Sequence, residues 1–294
     1  MQNKITVMPK KSTQETQTLK IPKPILLTSK FLQAISPQLV TRFAARLFIT
    51  PIKHKIPKRE LEMDRQSQQQ FLKIPTIGKE IMVYQYGDSP NKILLVHGWS
   101  GRGTQLVKFA ESFLKAGYAT VSFDAPAHGK STGKTTLMPE FIASILEVEK
   151  QFGPFLGAVG HSLGGMSLIN AMGSGLKLQR LVIIGSGDIV QDIMDEFVSK
   201  LNLKAKISTL LRLHFERKSK QTMDSYSAYI SARKITIPVL VIHDVDDSEV
   251  PVKSARHIVE NLPNGELMLT HNLGHRKILG NKEVIFKTLE FIKN

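Results

Sequence analysis

The segment Ala158-Val159-Gly160-His161-Ser162-Leu163-Gly164-Gly165-Met166 sets one serine among three glycines directly after an apolar run. A serine hydroxyl is a weak nucleophile unless a neighbouring base takes its proton, and that base needs an acid to fix its tautomer. Gly160-His161-Ser162-Leu163-Gly164 fits the pattern G-x-S-x-G. It stands where its chemistry requires, at the end of an apolar strand and the opening of a helical pattern. There the serine must take a strained backbone conformation, and Gly160 and Gly164 supply room where strand and helix meet. The turn also aims the free N–H groups of the helix start at the site, where they can stabilise a developing oxyanion.

A base and an acid are therefore sought downstream. Residues 239 to 252, VLVIHDVDDSEVPV, read as a buried strand running into an acidic loop, with a helix able to begin near Pro251. Asp244, Asp246 and Asp247 compete as the acid. Residues 265 to 277, GELMLTHNLGHRK, read as the next strand and loop, with His271 and His275 as candidate bases. Serine, then aspartate, then histidine, each just beyond the end of a strand, is the chain order of the α/β-hydrolases.

From about Lys79 to Asn294 the chain resembles an α/β-hydrolase fold enzyme carrying a cap. The resemblance implies Asp247 as the acid, because Asp247-Ser248-Glu249-Val250-Pro251 matches the family's D-x-x-V-P. It implies His275 as the base, because Gly274-His275 matches the family's glycine-preceded histidine, with His271 as runner-up. LLVHGWSGRGTQ, residues 94 to 105, resembles the family's H-G-x loop. Carried over by position, the backbone N–H groups of Trp99 and Leu163 would form the oxyanion hole. FDAPAHGKS, residues 123 to 131, resembles the D-x-x-G-x-G-x-S turn, with Ala127 where glycine is usual. A serine at the elbow, in place of an aspartate, argues against the epoxide-hydrolase and haloalkane-dehalogenase branches. The implied activity is hydrolysis of a carboxylic ester through an acyl-serine, with thioesterase, lipase and peptidase chemistry sharing the same constellation.

Each of these residues also has a plainer reading. His97 and His161 are expected to make structural hydrogen bonds, Asp244 and Asp246 to solvate or form their loop, and Asp124 and His128 to stabilise their turn. Trp99, the sole tryptophan, could serve packing alone. A His243/Asp244/His271/His275 metal cluster lacks the fixed spacing of ligand motifs. No metal or organic cofactor is expected.

The elements that must position these groups follow from periodicity. From residue 71 onward, short apolar runs alternate with longer segments of helical period, the mark of a mainly parallel sheet flanked by helices. FLKIPTI and KEIMVYQYGD open as strands able to pair as a hairpin. Between about residues 189 and 234 the rhythm gives way to a polar, basic, helix-prone stretch, read as a cap inserted in the 71–294 hydrolase domain. Residues 31–70 read as a helical extension. Within it Ser36 can cap and Pro37 can open a helix that puts Leu39, Val40, Phe43 and Leu47 on one face. That helix is expected to dock on the main domain. Residues 1–30, polar and broken by Pro22 and Pro24, read as a flexible basic arm.

The chain of 294 residues has a formal net charge of +15. Twelve of its Lys/Arg and only two of its acidic residues fall within the first 60 positions, so most of the imbalance is N-terminal. A second basic cluster, Lys200, Lys204, Lys206, Arg212, Arg217, Lys218 and Lys220, lies in the cap segment. A solvated basic face is the plain reading, and attraction of anionic acyl substrates is an alternative for the cap. No zinc-finger, ribonucleoprotein or helix-turn-helix pattern accompanies the charge, so no specific nucleic-acid partner is expected. The competing function is a membrane-surface or polyanion-binding protein with the hydrolase domain as scaffold. Helix 37–49 with Lys53, Lys55, Lys58 and Arg59 motivates it. Absence of cysteine excludes disulfides and a cysteine nucleophile. No window approaches the ~18 apolar residues of a membrane span. A cytoplasmic protein acting on a small acyl substrate is expected, with its oligomeric state open.

Overall fold

A computed structural model describes residues 4–7 and 21–294. Among these residues nine strands form one sheet: β1 (Lys4–Val7), β2 (Gln68–Ile74), β3 (Lys79–Tyr86), β4 (Lys92–Val96), β5 (Ala119–Phe123), β6 (Gly157–His161), β7 (Arg180–Ile184), β8 (Val239–Asp244) and β9 (Gly265–Thr270). Their order is β1-β9-β8-β7-β6-β4-β5-β3-β2. All neighbours are parallel except β3 against β5 and the β2–β3 hairpin, which pairs in register from Gln68 opposite Gln85 to Ile74 opposite Lys79. The expected fold class is the one observed.

The central strands are short because each is a run of residues buried on both faces, as parallel strands covered by helices must be. Side-chain alternation sorts them into two cores. Leu94, Val96, Leu181, Ile183, Val239 and Val241 face one side, while Ile93, Leu95, Val182, Ile184, Leu240 and Ile242 face the other. On the first side lie α5 (Met138–Phe152) and α6 (Leu163–Gly173), contributing Phe141, Ile145, Leu168 and Ile169. On the second lie α4 (Val107–Lys115) and α12 (Lys282–Lys293), contributing Phe109, Phe113, Val284 and Ile292. The chain leaves β4 toward β5 on one flank and returns to β6 on the other, so the loops beyond β4 and β6 open a crevice at the strands' carboxyl ends.

Among the described residues, three further helices lie within the N-terminal 70 positions: α1 (Lys23–Ile35), α2 (Pro37–Phe48) and the short α3 (Leu61–Gln66). Ser36 caps α2, accepting from Gln38 N at 3.2 Å and Leu39 N at 3.4 Å. Of the expected apolar face of α2, Val40 is buried and Leu47 packs on the core, but Leu39 does not join them. Val40, Thr41, Ala44 and Ala45 are the buried residues, whereas Leu39 is 43% exposed. Two alanines at the contact, Ala44 and Ala45, let α2 approach its neighbours closely and turn Leu39 outward. The segment expected to be an arm also differs, since it contains β1 on the sheet edge beside β9 and the first half of α1. Residues 8–20 of that arm lie outside the described residues.

Between β7 and β8 the chain forms α7 (Val190–Lys200), α8 (Lys206–Ser219), a 3-10 turn at Met223–Tyr226 and α9 (Ala228–Ala232). Helix α2 packs on α8, and Phe48 puts its ring 5.1 Å from Phe197 and 5.7 Å from Phe215. Beyond β8 come α10 (Lys253–Glu260) and, after β9, the one-turn α11 (Gly274–Lys277). Phe48 thus joins the N-terminal helices to the β7–β8 insertion. Phe48→Ala is expected to lower stability by about 2 kcal/mol, below the full cost of a buried phenylalanine because the ring is only partly buried. A single cooperative denaturant transition at lower midpoint is the expected result. An unshifted midpoint would mean that the two layers are not energetically coupled.

Candidate active site

The two glycines of the G-x-S-x-G stretch are explained by what a side chain would meet. A Cβ on Gly164 would lie 2.4 Å from the Val96 carbonyl oxygen and 2.5 Å from that of His97. One on Gly160 would lie 2.7 Å from the Gly165 Cα. The backbones of β6 and α6 therefore pass each other, and the end of β4, with no room for a methyl group. Between them Ser162 is held at φ 54°, ψ −122°, a left-handed conformation unfavourable for a residue bearing a Cβ. Its N–H donates to the Ile184 carbonyl at 2.9 Å and its carbonyl accepts from Gly165 at 3.0 Å, so both sides of the turn are tied down.

Helix α6 begins at Leu163. The neighbouring loop after β4 carries Gly98, where an added Cβ would lie 2.9 Å from the Ser162 Cβ. In that loop Gly98 N donates to Gln105 Oε1 at 3.2 Å and Ser100 N to His128 Nε2 at 3.0 Å. Among the described residues no acceptor engages the N–H of Trp99 or of Leu163. Trp99 is 36% exposed, with its ring edge-on to His128 at 5.4 Å.

The loops after β8 and β9 bring the next two groups together. Asp247 Oδ2 lies 2.7 Å from His275 Nδ1, and Asp247 Oδ1 accepts from Glu249 N at 2.8 Å and Val250 N at 2.9 Å. Burial works to raise the Asp247 pKa, but the His275 hydrogen bond and charge and the two backbone donors outweigh it, so the net shift is downward. With Nδ1–H donated to the carboxylate, His275 Nε2 is left as a lone-pair acceptor. Gly185, at φ 58° after β7, closes the site from beneath; a Cβ there would lie 3.3 Å from His275 Nδ1. The His161 ring sits 4.6 Å from that of His275, and His161 Nε2 donates to the His275 carbonyl at 2.9 Å.

The other candidates are taken up by the framework. Asp244 is fully buried, its Oδ2 accepting from Thr270 Oγ1 at 2.7 Å and Leu273 N at 3.1 Å. Asp246 Oδ2 accepts from Asn272 N at 2.9 Å, and His271 faces Asp246 at 3.8 Å, away from Asp247. His243 Nε2 donates to the Val250 carbonyl at 2.9 Å. Asp124 accepts from Gly103 N, Lys130 N and Tyr84 Oη, joining the loops after β4 and β5. In that turn Ala127 stands at φ 67°, the conformation for which glycine is the easier residue. No cluster of His, Asp and Glu able to hold a metal occurs among the described residues.

Two pairs were not legible in the sequence. Glu60, 1% exposed, binds Arg102 Nη1 at 3.0 Å and Thr104 Oγ1 at 2.9 Å, and Ile52 N donates to Ser100 Oγ at 3.0 Å. The N-terminal extension thus straps the loop that carries Trp99. Asp188, buried after β7 with its pKa raised by that burial, bonds His257 Nδ1 and accepts from Tyr229 N at 2.9 Å. It ties the start of the insertion to its end and to α10. Only the fold puts these partners, 40 to 70 residues apart, side by side.

A mainly parallel sheet of this order, with the loops bearing Ser162, Asp247 and His275 at the carboxyl ends of its strands, is the α/β-hydrolase fold. Residues 93–202 match the Alpha/beta hydrolase family, a span that includes Ser162 and stops short of Asp247 and His275. An esterase from Pyrococcus furiosus superposes with a TM-score of 0.64 at 19% identity, covering 83% of this chain and 98% of its own. An Exiguobacterium antarcticum esterase superposes with a TM-score of 0.61 at 18% identity, over 77% of this chain and all of its own. The uncharacterised YqkD of Bacillus subtilis (strain 168) is 23% identical over 242 residues, 70% of this chain and 72% of its own length. No helix among the described residues is long and apolar enough to cross a membrane.

Three histidines of this site are buried as neutral rings. Burial holds the pKa of His97 down to about 4, and those of His128 and His161 down to about 3. His97 and His128 each accept a backbone N–H at Nε2, from Ala125 and Ser100, and face a carbonyl with Nδ1, so a second proton would break an existing bond. In the unfolded chain the same rings protonate near pH 6.5, so below that pH the unfolded state binds more protons and stability falls. Each ring contributes up to about 1.4 kcal/mol per pH unit. Asp247, held below its ordinary value, adds a loss only in the more acidic range. Denaturant midpoints are expected to fall steeply from pH 7 to pH 5. A flat profile would mean that these rings are not neutral and buried in the native state.

Proposed function

We propose that the protein is a serine hydrolase that cleaves a carboxylic ester through an acyl-serine intermediate. The 2.7 Å bond between Asp247 and His275, at the sheet edge where Ser162 sits on its strained turn, is the observation that carries this reading. In this mechanism His275 Nε2 takes the Ser162 hydroxyl proton as Oγ attacks the acyl carbonyl carbon. The tetrahedral oxyanion is received by the N–H groups of Trp99 and Leu163, each such donor contributing about 3 kcal/mol. His275 returns the proton to the leaving alcohol. Water, deprotonated by the same ring, then releases the acid and regenerates Ser162. Asp247, fixed by its own backbone donors, holds the Nδ1–H tautomer and stabilises the imidazolium. Hydrolase activity in general is supported by the family match and by the esterases among the structural neighbours. An ester is the favoured substrate because those neighbours bear that name.

The test is steady-state hydrolysis of a p-nitrophenyl ester series from acetate to decanoate, with thioester and peptide analogues as competitors for the assignment. Wild type is expected to favour esters. Asp247→Asn is expected to lower kcat by about four orders of magnitude with the fold intact, because the wrong tautomer is then stabilised. Unchanged turnover in Asp247→Asn would remove Asp247 from the mechanism. A preference for thioesters would keep the mechanism and replace the substrate class.

A further inference from the structure

Helix α1 presents two unlike faces. Ser29 is fully buried, Ile25 and Leu32 pack against the core, and Gln33 Oε1 accepts from Lys204 N at 2.7 Å, so the helix is held on the body at the edge of the β7–β8 insertion. On the outer face Leu27, Phe31 and Ile35 are 68%, 65% and 57% exposed. Spaced four residues apart, they form one row along the helix. Lys23 and Lys30 lie exposed beside this row on α1, and Lys204 and Lys206 are exposed where the insertion meets it. From residue 21 to 59 the chain has eight Lys/Arg and no acidic residue. Helix α2 does not offer such a face, since its apolar side is used against the body.

We propose that α1 is an interfacial anchor that lays Leu27, Phe31 and Ile35 into the surface of an anionic phospholipid bilayer, with Lys23, Lys30, Lys204 and Lys206 set against its headgroups. A narrow row of large apolar side chains between lysines is suited to shallow insertion in the plane of the interface. The uniform positive charge of this region complements a negative leaflet, each nearby Lys or Arg strengthening attachment. Another protein would have to be acidic across the entire strip. A second copy of this chain would set four more lysines against the four already on this face, which disfavours self-association there. The anchor is separate from the chemistry at Ser162, because α1 is held by α2 and by Lys204 of the insertion.

Sedimentation with sucrose-loaded vesicles tests this on the full chain. Vesicles of phosphatidylcholine alone are compared with vesicles containing 3:1 phosphatidylcholine and phosphatidylglycerol, at low and high salt. Wild type is expected to bind the anionic vesicles, to bind the neutral ones far less, and to be released by salt. Phe31→Gln and Leu27→Gln, which unburden an exposed face and leave folding intact, are expected to lower the partition coefficient about tenfold. Lys23→Gln with Lys30→Gln is expected to lower it at least about fivefold. p-Nitrophenyl ester turnover in solution, where wild type has it, is expected to stay unchanged in all three. Failure of folded wild type to sediment with anionic vesicles would overturn the proposal. Binding undiminished by Phe31→Gln and Leu27→Gln would also overturn it, as would a dimer, seen by light scattering, that these substitutions dissolve while vesicle binding is absent.

Discussion

The constraint on which the rest of the structure depends is the near-contact of α6 with the ends of β4 and β6. Gly164 lies so close to the Val96 and His97 carbonyls, and Gly160 to Gly165, that neither position admits a Cβ. This approach forces Ser162 into its left-handed conformation and brings the start of α6 against the loop after β4. A strained turn persists only when its surroundings over-determine it. Here the surroundings are the central strands, whose side chains are almost all buried and whose neighbours run parallel on both flanks.

Around that turn several polar groups are fixed before any substrate arrives, while the buried Nδ1 atoms of His161 and His243 have no partner among the described residues. His97 and His128 each connect a backbone donor and a backbone acceptor across neighbouring loops. Asp247 is held by two of its own loop's N–H groups, leaving Oδ2 for His275. Glu60 and Arg102 bring the N-terminal extension into the same scaffold. A buried pair of this kind is strongly coupled to stability through the loss that follows when one partner is removed. The extension is therefore part of the domain's architecture, though it precedes the first central strand by some thirty residues.

The sequence made the strand–helix alternation, Ser162 and the two loops that hold the candidate acids and bases legible, because these depend on local patterns: apolar runs, a G-x-S-x-G turn, and loops that follow strands. The resemblance to the α/β-hydrolases singled out Asp247 from Asp244 and Asp246, and the structure gives the physical difference, since those two are spent on pinning the β8 and β9 loops. Less was legible at the N-terminus. The buried side of α2 turned on close packing by Ala44 and Ala45, which periodicity of large apolar residues cannot reveal. Helix α1 carried apolar residues on both faces, so the row left uncovered could be named only once its partners were known. The Glu60–Arg102 and Asp188–His257 pairs join distant segments, and no local signal marks them.

The central claim is that Ser162 is an activated nucleophile whose base is His275. Intact-mass spectrometry after reaction with a fluorophosphonate, followed by peptide mapping, tests it without reference to any substrate. A single adduct on Ser162, absent in Ser162→Ala and formed at least about a hundredfold more slowly in His275→Ala, is the expected result. An adduct on another residue, or equal rates in wild type and His275→Ala, would contradict the account.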